Sequence, residues 1–304
     1  MLQLPNGGGP TVDGIPVVDF PDLWEDVRDF LRMMYGALKI PPCRRAHNSV
    51  TAVAGALRLA TKYDAPDMAQ QLLYRLEYDY PNSFSTWTEV EDERRLLEPR
   101  TADWWDLNVK DPGPDPFFDI NHCTPEPASA VRLAQDVRAG TLLRAAWYEL
   151  ARSYAQGSSL FKGPGSPFDW TDRRAADLTL LEAGDLRRLL VGRERLRDLA
   201  HNAMEALREH ARFSTERSPC KNCQEQPEAS LKMFMSTESY RDLAFDPLGG
   251  LLELRRAVEQ SACDSCKYSV RTVIMDTCKE IWDTLVEAFE LQKLGIEVPD
   301  DSVF

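Results

Sequence analysis

Four of the seven cysteines stand in two pairs, Cys220-Lys-Asn-Cys223 and Cys263-Asp-Ser-Cys266. A C-x-x-C turn brings two thiolates to one tetrahedral ion at about 2.3 Å each, and two such turns complete a closed structural zinc site. Cys220, Cys223, Cys263 and Cys266 are therefore the candidate metal ligands, with a structural Zn2+ as the candidate cofactor. The 39 residues between the pairs exceed the roughly 15–20 of a common zinc ribbon. A helical excursion carrying Met233, Phe234, Tyr240 and Leu243 would have to bring the two turns together. Pro219 and the polar residues inside both pairs favour exposed turns. Two other readings of the same spacing stay open: reduced thiols in unrelated pairs, and a redox disulfide within one pair. A shared ion would tie the segment near Cys220 to the last helix and contribute directly to folding.

The remaining reactive residue types read as packing or as surface. Cys278 falls on the apolar stripe of the last helix, where a small core residue belongs. Cys43 and Cys123 lie in Pro-rich loops, and His122 beside Cys123 has no further ligand in its neighbourhood. His201 and His210 lie on a charged amphipathic helix and are expected to be exposed. Gly7-Gly8-Gly9 precedes a proline and a strand, which is not the setting of a phosphate loop. The serine within Gly163–Pro167 is followed by proline rather than by a helix-opening pattern, so it is no nucleophile elbow. The acidic run Glu89, Glu91, Asp92, Glu93 is expected to be a solvated face. Nothing here pairs a nucleophile with a base, and the expectation is a protein that is not an enzyme. Trp104-Trp105 and Phe117-Phe118 flank a Pro-rich connector. They read as rings pinning that connector to the helical block, or else as anchors for a partner.

The elements that would position these residues are helices. Gly14–Phe20 is a short β-type run. Asp22 and Glu25 have capping-box spacing, and Trp24, Val27, Phe30, Leu31, Met34 and Tyr35 follow at helical spacing, predicting one buried face. A second helix from Ser49 to about Lys62 carries Val50, Val53, Leu57 and Ala60, with Gly55 costing it about 1 kcal/mol in propensity. Pro66 opens a third, with Ala69, Leu72, Leu73, Leu76 and Tyr80, and Pro81 stops it. After the connector, helix resumes near Ala128 and continues through Leu150, with Gly140 expected to bend or divide it. Leu186, Leu189, Leu190, Leu196, Leu199, Ala203 and Leu207 form another stripe with Gly192 as a candidate break. The last runs from Val270 through Ile274, Cys278, Trp282 and Leu285 to Phe289. Strands are nearly absent after Phe20.

"GIPVVDFPDLWEDVRDFLRMMYG" followed by "VTAVAGALRLATKYDAPDMAQQLLYRLEYDYP" resembles the second half of a BTB/POZ domain of the kind found in large fungal families. The hairpin turn of that pattern falls here on Ala60, Lys62, Tyr63, Asp67 and Met68. "TLLRAAWYELAR" and "DLRRLLVGRERL" are also similar to those fungal proteins, so the resemblance spans most of the chain. A complete BTB domain has two strands and two helices before the "GIPVVDF"-like strand, and they have no counterpart here. The expectation is a truncated domain, or a remainder that folds differently; hairpin helices that have lost their covering would expose an apolar patch. The resemblance implies protein–protein interaction: self-association, or a substrate adaptor's contact with a cullin scaffold through the helix at Asp22–Tyr35 and the end of the hairpin.

Composition sets the limits. The formal net charge of −13 repels nucleic-acid phosphates and anionic membranes, and the arginines are scattered rather than gathered in a patch. No basic-then-apolar leader is visible in Met1–Pro10, and the odd cysteine count fits poorly with a closed disulfide framework, so reduced thiols in the cytoplasm or nucleus are expected. The expected architecture is mainly α. It comprises a disordered 1–9, a partial BTB/POZ-like α/β region at 10–82, a connector at 83–127 that is Pro-rich at its end, and a helical C-terminal domain at 128–304 holding the zinc knot. The expected function is non-enzymatic protein–protein interaction, without nucleic acid or membrane. The alternatives are a cullin-type ligase adaptor and a thiol-disulfide redox protein using one C-x-x-C pair.

Overall fold

The apolar periods of 3.6 residues fold as helices that share one core. A computed structural model describes residues 11–17, 20–36, 46–94, 124–155, 175–217, 243–261 and 264–301. Within them the protein is mainly helical. The β-type run is shorter than its sequence pattern. Only β1 (Thr11–Val12) and β2 (Ile15–Pro16) pair, antiparallel, with Thr11 opposite Pro16. Asp13 and Gly14 both take positive φ between them, the geometry of a two-residue hairpin turn and the reason an Asp-Gly dipeptide stands there.

The hairpin leads to α1 (Trp24–Met34), then α2 (Ser49–Lys62) and α3 (Pro66–Asp79). Val50, Val53, Leu57 and Ala60 are all buried on α2, and Leu72, Leu76 and Tyr80 are buried on α3, as their spacing predicts. Asp64 turns the chain between them with a positive φ. Residues 84–94, placed by composition in the connector, are a further helix, α4. Its Phe84 and Trp87 enter the core, where Trp87 packs 5.6 Å from Trp282 and 5.5 Å from Tyr148.

The expected long helix after Pro127 is divided at the point its glycine suggests: α5 (Pro127–Asp136) and α6 (Gly140–Ala151) flank a turn at Arg138, which has positive φ. Gly140 does more than start α6. A Cβ there would collide with the backbone carbonyl of Glu297, so the glycine lets the strap at residues 295–301 cross the helix end. A two-residue parallel pairing joins β3 (Tyr154–Ala155) to β4 (Ala175–Ala176). Gly192 does not break the helix that contains it. α7 runs from Ala183 to Arg217 through Gly192, whose missing Cβ leaves room for the buried ring of Phe289. Leu190, counted in its stripe, is exposed.

α8 (Pro247–Ser261) and α9 (Asp264–Ala288) complete the helical set described. Ile274, Cys278, Ile281, Trp282, Leu285 and Phe289 are all buried, confirming the stripe. Arginines close the helix ends: Arg193 donates to the carbonyls of Leu150, Ala151 and Ser153, and Arg195 to those of Glu287 and Ala288. These satisfy last-turn acceptors that have no intrahelical donor. The strap is held by Arg144, which donates to the carbonyls of Asn82 and Pro299, and by Asp301, which accepts from the Phe84 amide and pairs with Lys279 at 2.7 Å. One contiguous core therefore includes residues from Val50 to Ile296.

Candidate interaction surface on helix α1

Asp22 decides which way α1 faces. Its carboxylate, expected as half of a capping box, makes no cap: the residue preceding the helix is Leu23, and no side chain caps it. Asp22 instead accepts from Lys62 Nζ and, at 2.5 Å, from the Tyr63 hydroxyl at the end of α2. Hydrogen bonds from Lys62 and then Tyr63 hold the Asp22 carboxyl below the ordinary carboxylate range, and the same contact raises Lys62 and Tyr63. The reason is simple: each partner stabilises the charged acid or the proton-bearing donor.

Below that anchor, α1 lies against α2 through Phe30, buried with Leu59 and Ala60 and packed by Tyr63 and Met68. Gly55 makes this approach possible. A Cβ there would stand 2.7 Å from Asp26 Oδ1 and 2.9 Å from its Cα. The propensity lost at Gly55 is thus exchanged for close helix contact, and Arg58 spans the seam from Asp26 (3.6 Å) to Asp136 (3.0 Å).

Packing through Phe30 turns the opposite side outward. Residues 24, 28, 31 and 35 fall at the i, i+4, i+7, i+11 spacing of one helix stripe. Trp24 is 64% exposed, Leu31 38% and Tyr35 83%, with Met34 beside them at 57%. This overturns the expectation that all six apolar residues of α1 share one buried face; Phe30 alone among them is fully covered. The outward stripe and Phe20 border a groove of about 610 Å³, also lined by Val27. Its charged lining residues are Asp22, Arg28 and Arg32. Arg28 lies over the Trp24 ring at 4.8 Å and donates to Asp29 at 2.8 Å, which raises its pKa. Arg32 is exposed and makes no ion pair among the described residues.

A second cluster of charge is of a different kind. Arg152, the residue that follows α6, is inside the protein, its side chain 3% exposed. It bonds Glu91 at 2.8 Å, Glu149 at 2.5 Å and Asp246 at 3.1 Å, and lies 5.2 Å from the Trp87 ring and 5.3 Å from that of Tyr148. Burial would lower its pKa, but the charges of Glu91 and Asp246 outweigh that and raise it. Tyr148 donates to Asp246 at 2.5 Å and accepts from the Leu248 amide at 3.0 Å. The cluster ties α4, α6 and the start of α8 together, and its hydrogen-bonding capacity is spent internally. Glu91 was expected on a solvated face; it is buried, one turn beyond Trp87 on the same stripe. The spacing of Phe84, Trp87 and Glu91 is the signal that places it.

Of the candidate metal ligands, Cys220, Cys223 and Cys263 lie outside the described residues, as does the side chain of Cys266, whose backbone belongs to the first turn of α9. Among the described residues no group of three or more His, Cys, Asp or Glu could hold a metal ion. Trp104, Trp105, Phe117, Phe118, Cys43, His122 and Cys123 also lie outside them. His201 is exposed, as expected, and Cys278 is buried, its thiol pushed up to about 12 by desolvation. No described helix is long and apolar enough to cross a membrane. Compared with protein-family models, with curated proteins and with solved structures, the chain matches none.

Proposed function

We propose that this chain is a non-enzymatic protein-interaction module that receives a partner on the outer face of α1. The observation that carries this is the outward stripe of Trp24, Leu31 and Tyr35 beside an apolar groove of about 610 Å³, on a helix fixed from behind by Phe30 and Asp22. Large rigid side chains held ready in a groove lose little conformational freedom on binding, which is why aromatic residues dominate interface energetics. Contiguous exposed apolar surface of this kind marks interaction sites on folded proteins. Proximity labelling in cells, comparing the chain with a Trp24→Ala/Leu31→Ala variant, tests it. The variant should lose specific neighbours while keeping its thermal stability; an unchanged set of neighbours would contradict the proposal.

The BTB/POZ resemblance favours a cullin scaffold as one such partner, because the exposed helix is the one that faces the ligase in those adaptors. Glu25 is exposed on α1, whereas Asp26 is packed against Gly55 and Arg58. Charge reversal at Glu25 alone is therefore the clean test in a purified pull-down. Loss of cullin binding in Glu25→Lys supports the adaptor reading, and no binding by the unaltered chain ends it. The thiol-redox reading requires a reactive C-x-x-C pair. Native thiol titration decides it, with Cys278 remaining silent because its thiol is buried.

A further inference from the structure

We infer that the partner segment held by the α1 groove is acidic: a short amphipathic stretch of another protein with apolar anchors and a carboxylate one turn from an anchor. This rests on the reading of α1 as a docking face and adds the chemistry of what docks. Three charged residues line the groove. The charge of Asp22 is already answered by Lys62. Arg28 shares its charge with Asp29 and is held over Trp24. Arg32, one turn further on, is exposed and has no ion pair among the described residues. The charge left unanswered in the groove is thus cationic, on a chain whose net charge is −13. At physiological salt the Debye length is about 8 Å, so the residues lining the groove outweigh the distant acidic surface.

Shape and chemistry agree. Apolar side chains from Phe20, Trp24, Leu31 and Tyr35 give an entering segment its anchors. A guanidinium at Arg32 presents a planar donor fork matched to a carboxylate, and complementary charge at the edge of an apolar contact governs register and on-rate. The eleven residues of α1 extend roughly 16 Å at 1.5 Å per residue, enough to lie along about three turns of a partner helix. An anionic bilayer fits less well, since such a surface is held by clusters of about four to eight basic residues, whereas Arg28 and Arg32 are the basic residues lining the groove.

Selection from a display library of random peptides on the full chain, counter-selected on Trp24→Ala, tests the inference. Peptides that require Trp24 should be enriched in Asp and Glu beside apolar anchors. An enriched acidic peptide should bind Arg32→Glu about tenfold more weakly, and selection on Arg32→Glu should shift towards Lys and Arg. Trp24-dependent peptides that are neutral or basic would overturn the acidic partner while leaving the docking face intact. If no peptide depends on Trp24, or on Tyr35 in a parallel Tyr35→Ala selection, both fall. A dimer in native mass spectrometry that Trp24→Ala dissociates, or Trp24-dependent sedimentation with phosphatidylcholine–phosphatidylserine vesicles, would also overturn it, by identifying a second copy or a bilayer as the occupant.

Discussion

Arg152 is a guanidinium that three carboxylates compete for inside a helical core, beside the rings of Trp87 and Tyr148. Removing it leaves buried carboxylates without their cation. Breaking a buried pair in this way is expected to destabilise by about 3 kcal/mol, the lower end of the range, because Arg94 still reaches Glu91. Denaturant unfolding of Arg152→Ala measures this, and a loss well under 1 kcal/mol would mean that the cluster is not the tie it looks to be. Little of it was legible in the sequence. Glu91 stands in a run of acids, and local composition hid the i, i+4 relation to Trp87 that puts it inside. Cys278 was legible because Ile274, Ile281 and Leu285 fix its stripe. The zinc expectation for Cys220, Cys223, Cys263 and Cys266 belongs to this scale too. Native mass spectrometry should find the chain heavier by one zinc ion, returning to the bare mass on chelation with loss of thermal stability; a bare mass after chelator-free purification would refute it.

At the scale of elements, periodicity identified most of the helices and the buried faces of α2, α3 and α9, but not the direction that α1 would face. α1 has apolar residues on two sides, and only the contact through Phe30, admitted by Gly55, decides that Trp24 and Tyr35 point outward. A contact of that kind is tertiary and leaves no local trace. Gly192 makes the same point: its propensity suggested a break, while its function is to admit Phe289. Gly192→Ala gains about 1 kcal/mol of helix propensity and should nonetheless lower the melting temperature, since overpacking costs about 1–3 kcal/mol. A raised melting temperature would contradict that packing. The Asp22 anchor sets a pH window. Its lowered carboxyl contributes stability above the ordinary aspartate pKa, lost as pH falls through the depressed value. The raised Lys62 and Tyr63 contribute below their ordinary values, lost as pH rises through the elevated ones. The attachment of α1 to α2 should therefore be complete between about pH 4 and pH 10 and loosen outside it. NMR signals of the Tyr63 ring and Leu31 methyls report this, and insensitivity across both limits would argue against the anchor.

For the whole molecule, the continuity of the core was the least legible feature. Division at a connector followed from proline density, yet α4 begins within that stretch and carries two aromatic residues into a core shared by α6 and α9. The strap at 295–301 closes the same core by running from Gly295 past Gly140 to Lys279 and Phe84. Long-range closure depends on carbonyls meeting arginines, which no spacing rule announces. A mainly helical fold was legible, because apolar stripes mark most of the described helices; α4 and α8 were not read, and the stripe of α1 gave the helix but not its buried face. With the Arg152 cluster satisfied internally, the α1 groove is the proposed docking face among the described residues. Site-specific photocrosslinking in cells tests that most directly, with a benzophenone amino acid at position 35 and, as control, at the exposed position 201 on α7. Position 35 should give a discrete heavier adduct, lost when Trp24 is replaced by alanine, and position 201 should give none. No adduct from 35, or the same adducts from both positions, would contradict it.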